Sequence, residues 1–140
     1  MRIPPAGVLL VGVLGCASVG PSSEATPFKI VPLFDRYEPG ATVRVSLINE
    51  TGAVVYRNTC EATIQRRNES GAWITAGGRT CPPIGPTGVA RVESATSAHL
   101  DIPTPLSLRT GDYRIVLDLR YEDGSLLSTE RRTSEVFRIE

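Results

Sequence analysis

Few side chains in this sequence could do acid–base or nucleophilic work. There is one histidine, His99. Acyl transfer needs a nucleophile beside a base, and no G-x-S-x-G turn is present to present one. His99 lies in an alternating run before Leu100, so it is expected on the solvent side of a strand. No G-x-x-x-x-G-K-S/T or G-x-G-x-x-G segment exists to cradle a phosphate, and Gly77-Gly78 reads as loop with no helix beside it. Glu122-Asp123 directly precedes Gly124, where solvated turn carboxylates are expected rather than a glycosidase pair, and no EF-hand spacing of calcium ligands occurs. Asn49-Glu50-Thr51 and Asn68-Glu69-Ser70 read as turns. Arg66-Arg67 and Arg131-Arg132 are the densest positive spots, expected as solvated strand ends that could touch anionic head groups or a polymer. The reading is a protein without catalytic residues, cofactor or metal.

The whole-chain balance points the same way. Fifteen basic side chains stand against 15 acidic ones, so no net field draws the chain to nucleic acid, and nucleic-acid binding is not expected. Hydrophobic residues make up 41% and charged ones 21%, as in an ordinary globular domain, while 13 Gly and 11 Pro favour turns. A chain of 140 residues supports one core.

Residues 1–15 read as an export signal: Arg2 is the lone positive charge, Ala6 to Leu14 are apolar or Gly, and no acid precedes Glu24. That run is too short to span a bilayer as a helix, which needs about 20 residues. It ends Val13-Leu14-Gly15-Cys16, which resembles the lipobox of bacterial lipoproteins. The resemblance implies that Cys16 is diacylated on sulfur, palmitate being the expected kind of chain, and becomes the first residue of the mature protein at a membrane of the cell envelope. A plain secretory signal cut near Ala17 or Ala25, giving a secreted or periplasmic protein, is the alternative. Residues 16–27 read as the lipidated N-terminus and a flexible tether, whose ten residues from Ser18 to Pro27 are small, polar and Pro-punctuated and would reach about 17 Å.

Lipidation of Cys16 leaves Cys60 and Cys81 as an even pair in an oxidising compartment, so a disulfide between them is expected. The alternatives are two buried thiols, or zinc or redox chemistry. Zinc wants four ligands at short spacing, and a redox pair is more usually C-x-x-C.

From Phe28 onward no stretch carries apolar residues at helical spacing, whereas alternation with period 2 recurs. Strands are expected at residues 28–34, 41–49, 53–58, 60–67, 72–75, 96–102, 112–122 and 134–139, with Val89 to Val92 a further edge candidate. Parity places Val43, Val45, Leu47, Tyr113, Ile115, Leu117 and Leu119 inside, and Arg44, Arg114, Asp118 and Arg120 outside. The fold class is all-β, and seven to nine short strands in about 110 residues fit an antiparallel sandwich better than a closed barrel.

Leu108-Arg109-Thr110-Gly111-Asp112-Tyr113 delivers a tyrosine onto the strongest strand and resembles the tyrosine corner of immunoglobulin-like sandwiches. With Tyr37-Glu38-Pro39-Gly40, Asn49-Glu50-Thr51-Gly52 and Trp73, it makes residues 28–140 resemble bacterial Ig-like domains. Related sandwiches include the intracellular proteinase inhibitor family of Bacillus. The resemblance implies that Tyr113 bonds a backbone group near its turn and that Trp73 packs in the core. It also implies a non-catalytic module that binds or spaces, its partner an envelope protein or polymer that the sequence does not identify. The alternative is a protease inhibitor acting through loops at one end of the sandwich. Oligomeric state is not encoded in any motif.

Overall fold

The computed structural model describes residues 27–81 and 89–140; the export signal, Cys16 and most of the tether lie outside the described residues. Among the described residues nine strands form two sheets: β1 (Phe28–Pro32), β2 (Arg36–Tyr37), β3 (Thr42–Asn49), β4 (Val55–Arg67), β5 (Trp73–Arg79), β6 (Val89–Val92), β7 (Thr96–Pro103), β8 (Gly111–Arg120) and β9 (Phe137–Ile139). One sheet runs β1-β3-β7; the other runs β2-β9-β8-β4-β5, with β6 also paired to β4. The fold is an immunoglobulin-like β-sandwich, and no described helix is long and apolar enough to cross a membrane.

The core follows from strand parity. Val43, Val45 and Leu47 of β3 and Tyr113, Ile115, Leu117 and Leu119 of β8 are all buried, each facing the opposite sheet. Burial of each aliphatic side chain contributes about 1.5 to 3 kcal/mol, enough to lock the register, because a slip of one residue would invert both faces. Arg44 and Arg120 are exposed as expected, but Arg114 and Asp118 are half-buried. The outer face of β8 is not open solvent at its middle: Arg114 lies against Trp73 and Gln65, and Asp118 is overlain by Arg120.

Several expectations need correction. The expected strands at 53–58 and 60–67 are one strand, β4, interrupted by a large bulge. Arg57 pairs with Leu119 and Ala62 with Leu117, so residues 58–61 of β4 oppose Asp118 alone. β5 runs on to Arg79 instead of stopping at 75, and Gly77-Gly78 therefore lies in a strand, where Gly78 pairs with Thr63. β1 ends at Pro32, and the C-terminal strand shrinks to Phe137–Ile139 because residues 129–132 turn beside β8 and the Ser134 and Glu135 N–H groups bond the Ile115 and Ile30 carbonyls in irregular backbone. β2 was not expected; it has two residues, too few for a period, and it pairs in parallel with β9, so the sandwich is not wholly antiparallel. Trp73 is not a core anchor. The register shift between Ile64 and Gln65 puts it opposite Arg67, on the outer face of the sheet, where it is half-buried.

Candidate functional site

Cys60 sits in the β4 bulge and is disulfide-bonded to Cys81, just past the end of β5, with Cα atoms 4.9 Å apart. The Asn58 carboxamide oxygen accepts the Cys60 N–H at 3.2 Å and so shapes the bulge that presents the cysteine. Tyr113 is fully buried, and its hydroxyl donates to the Arg109 carbonyl at 2.6 Å, the geometry of a tyrosine corner. Burial pushes the Tyr113 phenol above its ordinary pKa, with nearby Arg66 and the bond to Arg109 acting the other way. The Tyr113 ring stacks on Phe137, and Phe137 meets Tyr37 edge-on, so three aromatic rings tie β2, β9 and β8 together.

His99 stands exposed on the outer face of β7, opposite Ser46 of β3, with Ser46 Oγ 3.3 Å from Nδ1. Asp101 is two residues further along the same face. These are the residue types of a hydrolase triad, but their arrangement differs from one. The serine meets Nδ1, the nitrogen that a triad aspartate would orient, while Asp101 is engaged by Arg44 through two hydrogen bonds of 2.7 and 2.8 Å. The Arg44 guanidinium holds the Asp101 carboxyl below its usual range, chiefly through this bonding. Among the described residues no group of three or more His, Cys, Asp or Glu side chains converges as a metal site.

The arginine pairs behave differently from each other. Arg67 is exposed at the end of β4, while Arg131 and Arg132 are half-buried and fix a turn, Arg131 bonding the Tyr121 hydroxyl at 2.7 Å and Arg132 the Leu127 carbonyl at 2.9 Å. Asp123 lies in the turn expected for it, where its carboxylate accepts both the N–H and the hydroxyl of Ser125 and is held below the ordinary carboxylate range.

A cleft of about 470 Å3 lies between β1 and the 129–135 segment, with Phe28 and Ile30 on one side and Thr133 and Ser134 on the other. Arg114 reaches it from β8. Its guanidinium lies 4.5 Å from the centre of the Trp73 ring and its Nε donates to Gln65 at 2.7 Å, so Trp73, Gln65 and Arg114 form a row leading from the outer face of the sheet to the cleft. A cation over an aromatic face contributes about 0.5 to 1 kcal/mol at an exposed site and holds the arginine in one orientation. Cleft and row make a shallow concave surface with a positive, planar group at its rim. Neither the cleft nor the row stood out in sequence, because Trp73 and Arg114 are 41 positions apart and meet only through β4.

No family model and no curated protein matches the chain. Solved structures do. The chain is similar to an alkylpurine DNA glycosylase, AlkC, of Pseudomonas fluorescens bound to DNA containing an abasic site analogue, at 11% identity and a TM-score of 0.42, over 81% of this chain and 30% of that one. It thus spans less than a third of that enzyme's length. It is also similar to an ASH, or PapD-like, domain of human CEP192 (PapD-like domain 7), at 18% identity and a TM-score of 0.33, over 97% of this chain and 94% of that domain. At these scores neither likeness transfers a function.

Proposed function

We propose that the chain is a lipoprotein anchored to a membrane of the bacterial cell envelope through acylated Cys16, and that its Ig-like sandwich is a non-catalytic binding or spacing module. The observation that carries this reading is the short apolar run ending Leu14-Gly15-Cys16, followed by a polar tether that stops where Phe28 enters the core as the first strand begins. An apolar run of that length does not anchor by itself, whereas two or three acyl chains on one cysteine hold stably. Among its described residues the sandwich offers clefts and loops rather than a nucleophile with an oriented base, which suits a binding role. Mass spectrometry of the mature N-terminus tests the proposal. A diacylated Cys16 at position one, with release from the membrane fraction on Cys16→Ser, is expected; an unmodified start at Ser18 or Thr26 overturns it.

One observation favours a second reading, protease inhibition. In the segment between β7 and β8, Leu106 is 83% exposed. Its neighbours are pinned: the Thr104 hydroxyl donates to the Ala41 carbonyl at 2.7 Å and the Leu108 N–H to the Pro105 carbonyl at 3.3 Å. A preorganised loop offering one apolar side chain is a form that can occupy a protease cleft at low entropic cost. Titration of envelope protease activity with the purified protein decides this reading, which predicts stoichiometric loss of activity and its restoration by Leu106→Asp.

A further inference from the structure

Two arginines point the wrong way for a solvated sheet. Arg57 of β4 pairs directly with Leu119, and Arg79 of β5 pairs directly with Ala62; both partners are buried on the core-facing side. Because paired residues share a face, both guanidinium groups leave from the inner surface of the larger sheet. The bulge brings them together. Residues 58–61 oppose Asp118 alone on the β8 side, so Arg57 and Ala62 lie only two ladder positions apart along β8, and Arg79 is next to Ala62. The two cations are therefore diagonal neighbours beside the Cys60–Cys81 bridge, at the margin where β5 and β6 lie end to end along β4.

Among the described residues no carboxylate pairs with this charge. Neither arginine makes an ion pair with a described carboxylate, and the buried Nη1 of Arg57 and Nε of Arg79 have no hydrogen-bond partner among the described residues. Burial, and then the charge of Arg79, press the Arg57 guanidinium below its ordinary pKa. Leaving such groups unpaired costs stability, and two like charges side by side cost more. The one acidic side chain of β4, Glu61, is exposed in the bulge and lines a shallow pocket together with Arg79, but forms no ion pair with it.

We infer that Arg57 and Arg79 together form a binding site for an oxyanion, a phosphate or carboxylate group whose oxygens can bridge the two guanidinium forks at the margin of the sandwich. Planar forks present N–H groups in parallel and suit two-oxygen contacts, and a partly desolvated setting strengthens each charge-assisted bond. The site is independent of the lipid anchor and of the Leu106 loop. Its rival is purely structural: inward-pointing charges near sheet edges discourage pairing with other chains and need no ligand.

The two accounts part in solution. In isotopically labelled protein, the side-chain Nε–Hε resonances of Arg57 and Arg79 are followed while inorganic phosphate, and separately acetate, replaces chloride at constant ionic strength. Saturable shifts of both resonances are expected; a response to phosphate alone identifies a phosphoryl ligand, and a response to acetate alone or to both identifies a carboxylate-compatible site. Linear, unsaturated drift with both anions overturns the proposal. Melting supplies the second arm. Phosphate or acetate raises Tm relative to chloride in the parent chain, and Arg57→Met or Arg79→Met abolishes that rise; a rise retained in both variants also overturns the site.

Discussion

Asn49 is the most heavily engaged polar side chain in the core. It is fully buried, and its amide donates to the Ala53 and Val92 carbonyls at 2.8 Å each, while its oxygen accepts the N–H and the hydroxyl of Thr51. One side chain thus closes the β3–β4 turn and ties it to β6. Asn49→Ala removes these bonds and strands the buried Val92 carbonyl, while the exposed Ala53 carbonyl keeps the Thr51 hydroxyl, so a loss of about 2 kcal/mol is expected from the urea midpoint at constant m. By contrast, the Arg44–Asp101 pair is exposed on both sides and contributes little to stability, but it leaves a clear electrostatic signature. The Asp101 pKa is lowered in the fold from an ordinary 3.8, so its contribution is present above that value and is lost as the pH falls through the folded value. A carboxyl carbon titration followed by NMR should show an Asp101 midpoint below 3.8, returning toward it in Arg44→Met.

At the scale of elements, β4 carries the design. It is hydrogen-bonded on one side to β8 and on the other to both β5 and β6, and its bulge creates the disulfide position and the arginine pair. Gly78 enforces the β4–β5 register. It has φ near +140°, and a Cβ there would collide with the Ala62 carbonyl, which is backbone and cannot swing away. Gly52 also has positive φ, +78°, but faces open space. Gly78→Ala is therefore expected to cost more than about 3 kcal/mol, and Gly52→Ala only the intrinsic left-handed penalty of about 1 kcal/mol. Chemical denaturation of the two variants in parallel checks the ranking, and equal losses would contradict the register.

Across the whole molecule, the Cys60–Cys81 disulfide links positions separated by 21 in sequence and fastens the end of β5 to the bulge. Replacing both cysteines, Cys60→Ser with Cys81→Ser, is expected to lower unfolding free energy by about 3 kcal/mol in the chain-entropy picture. The same difference should appear between oxidised and reduced parent protein in denaturant titrations. Because the bridge is remote from Tyr113 and from the cleft beside β1, the near-ultraviolet signature of the aromatic cluster should survive its loss at temperatures below the new melting point.

Much of this architecture was legible before any coordinates. Alternation over Val43 to Leu47 and over Tyr113 to Leu119 determined two central strands and which face of each is buried, because a period of two admits only one register once one face must leave water. The turn before Tyr113 likewise marked the corner in which its hydroxyl is satisfied. What the order of residues could not specify was lateral neighbourhood. The merging of two expected strands into β4, the parallel two-residue β2, and the outward Trp73 all depend on hydrogen-bond offsets between strands, to which local periodicity is blind. The arginine pair is the sharpest case: Arg57 and Arg79 lie 22 positions apart in an unremarkable polar background, and only the bulge, by removing three residues' worth of ladder, makes neighbours of two charges that each strand alone would have read as solvated.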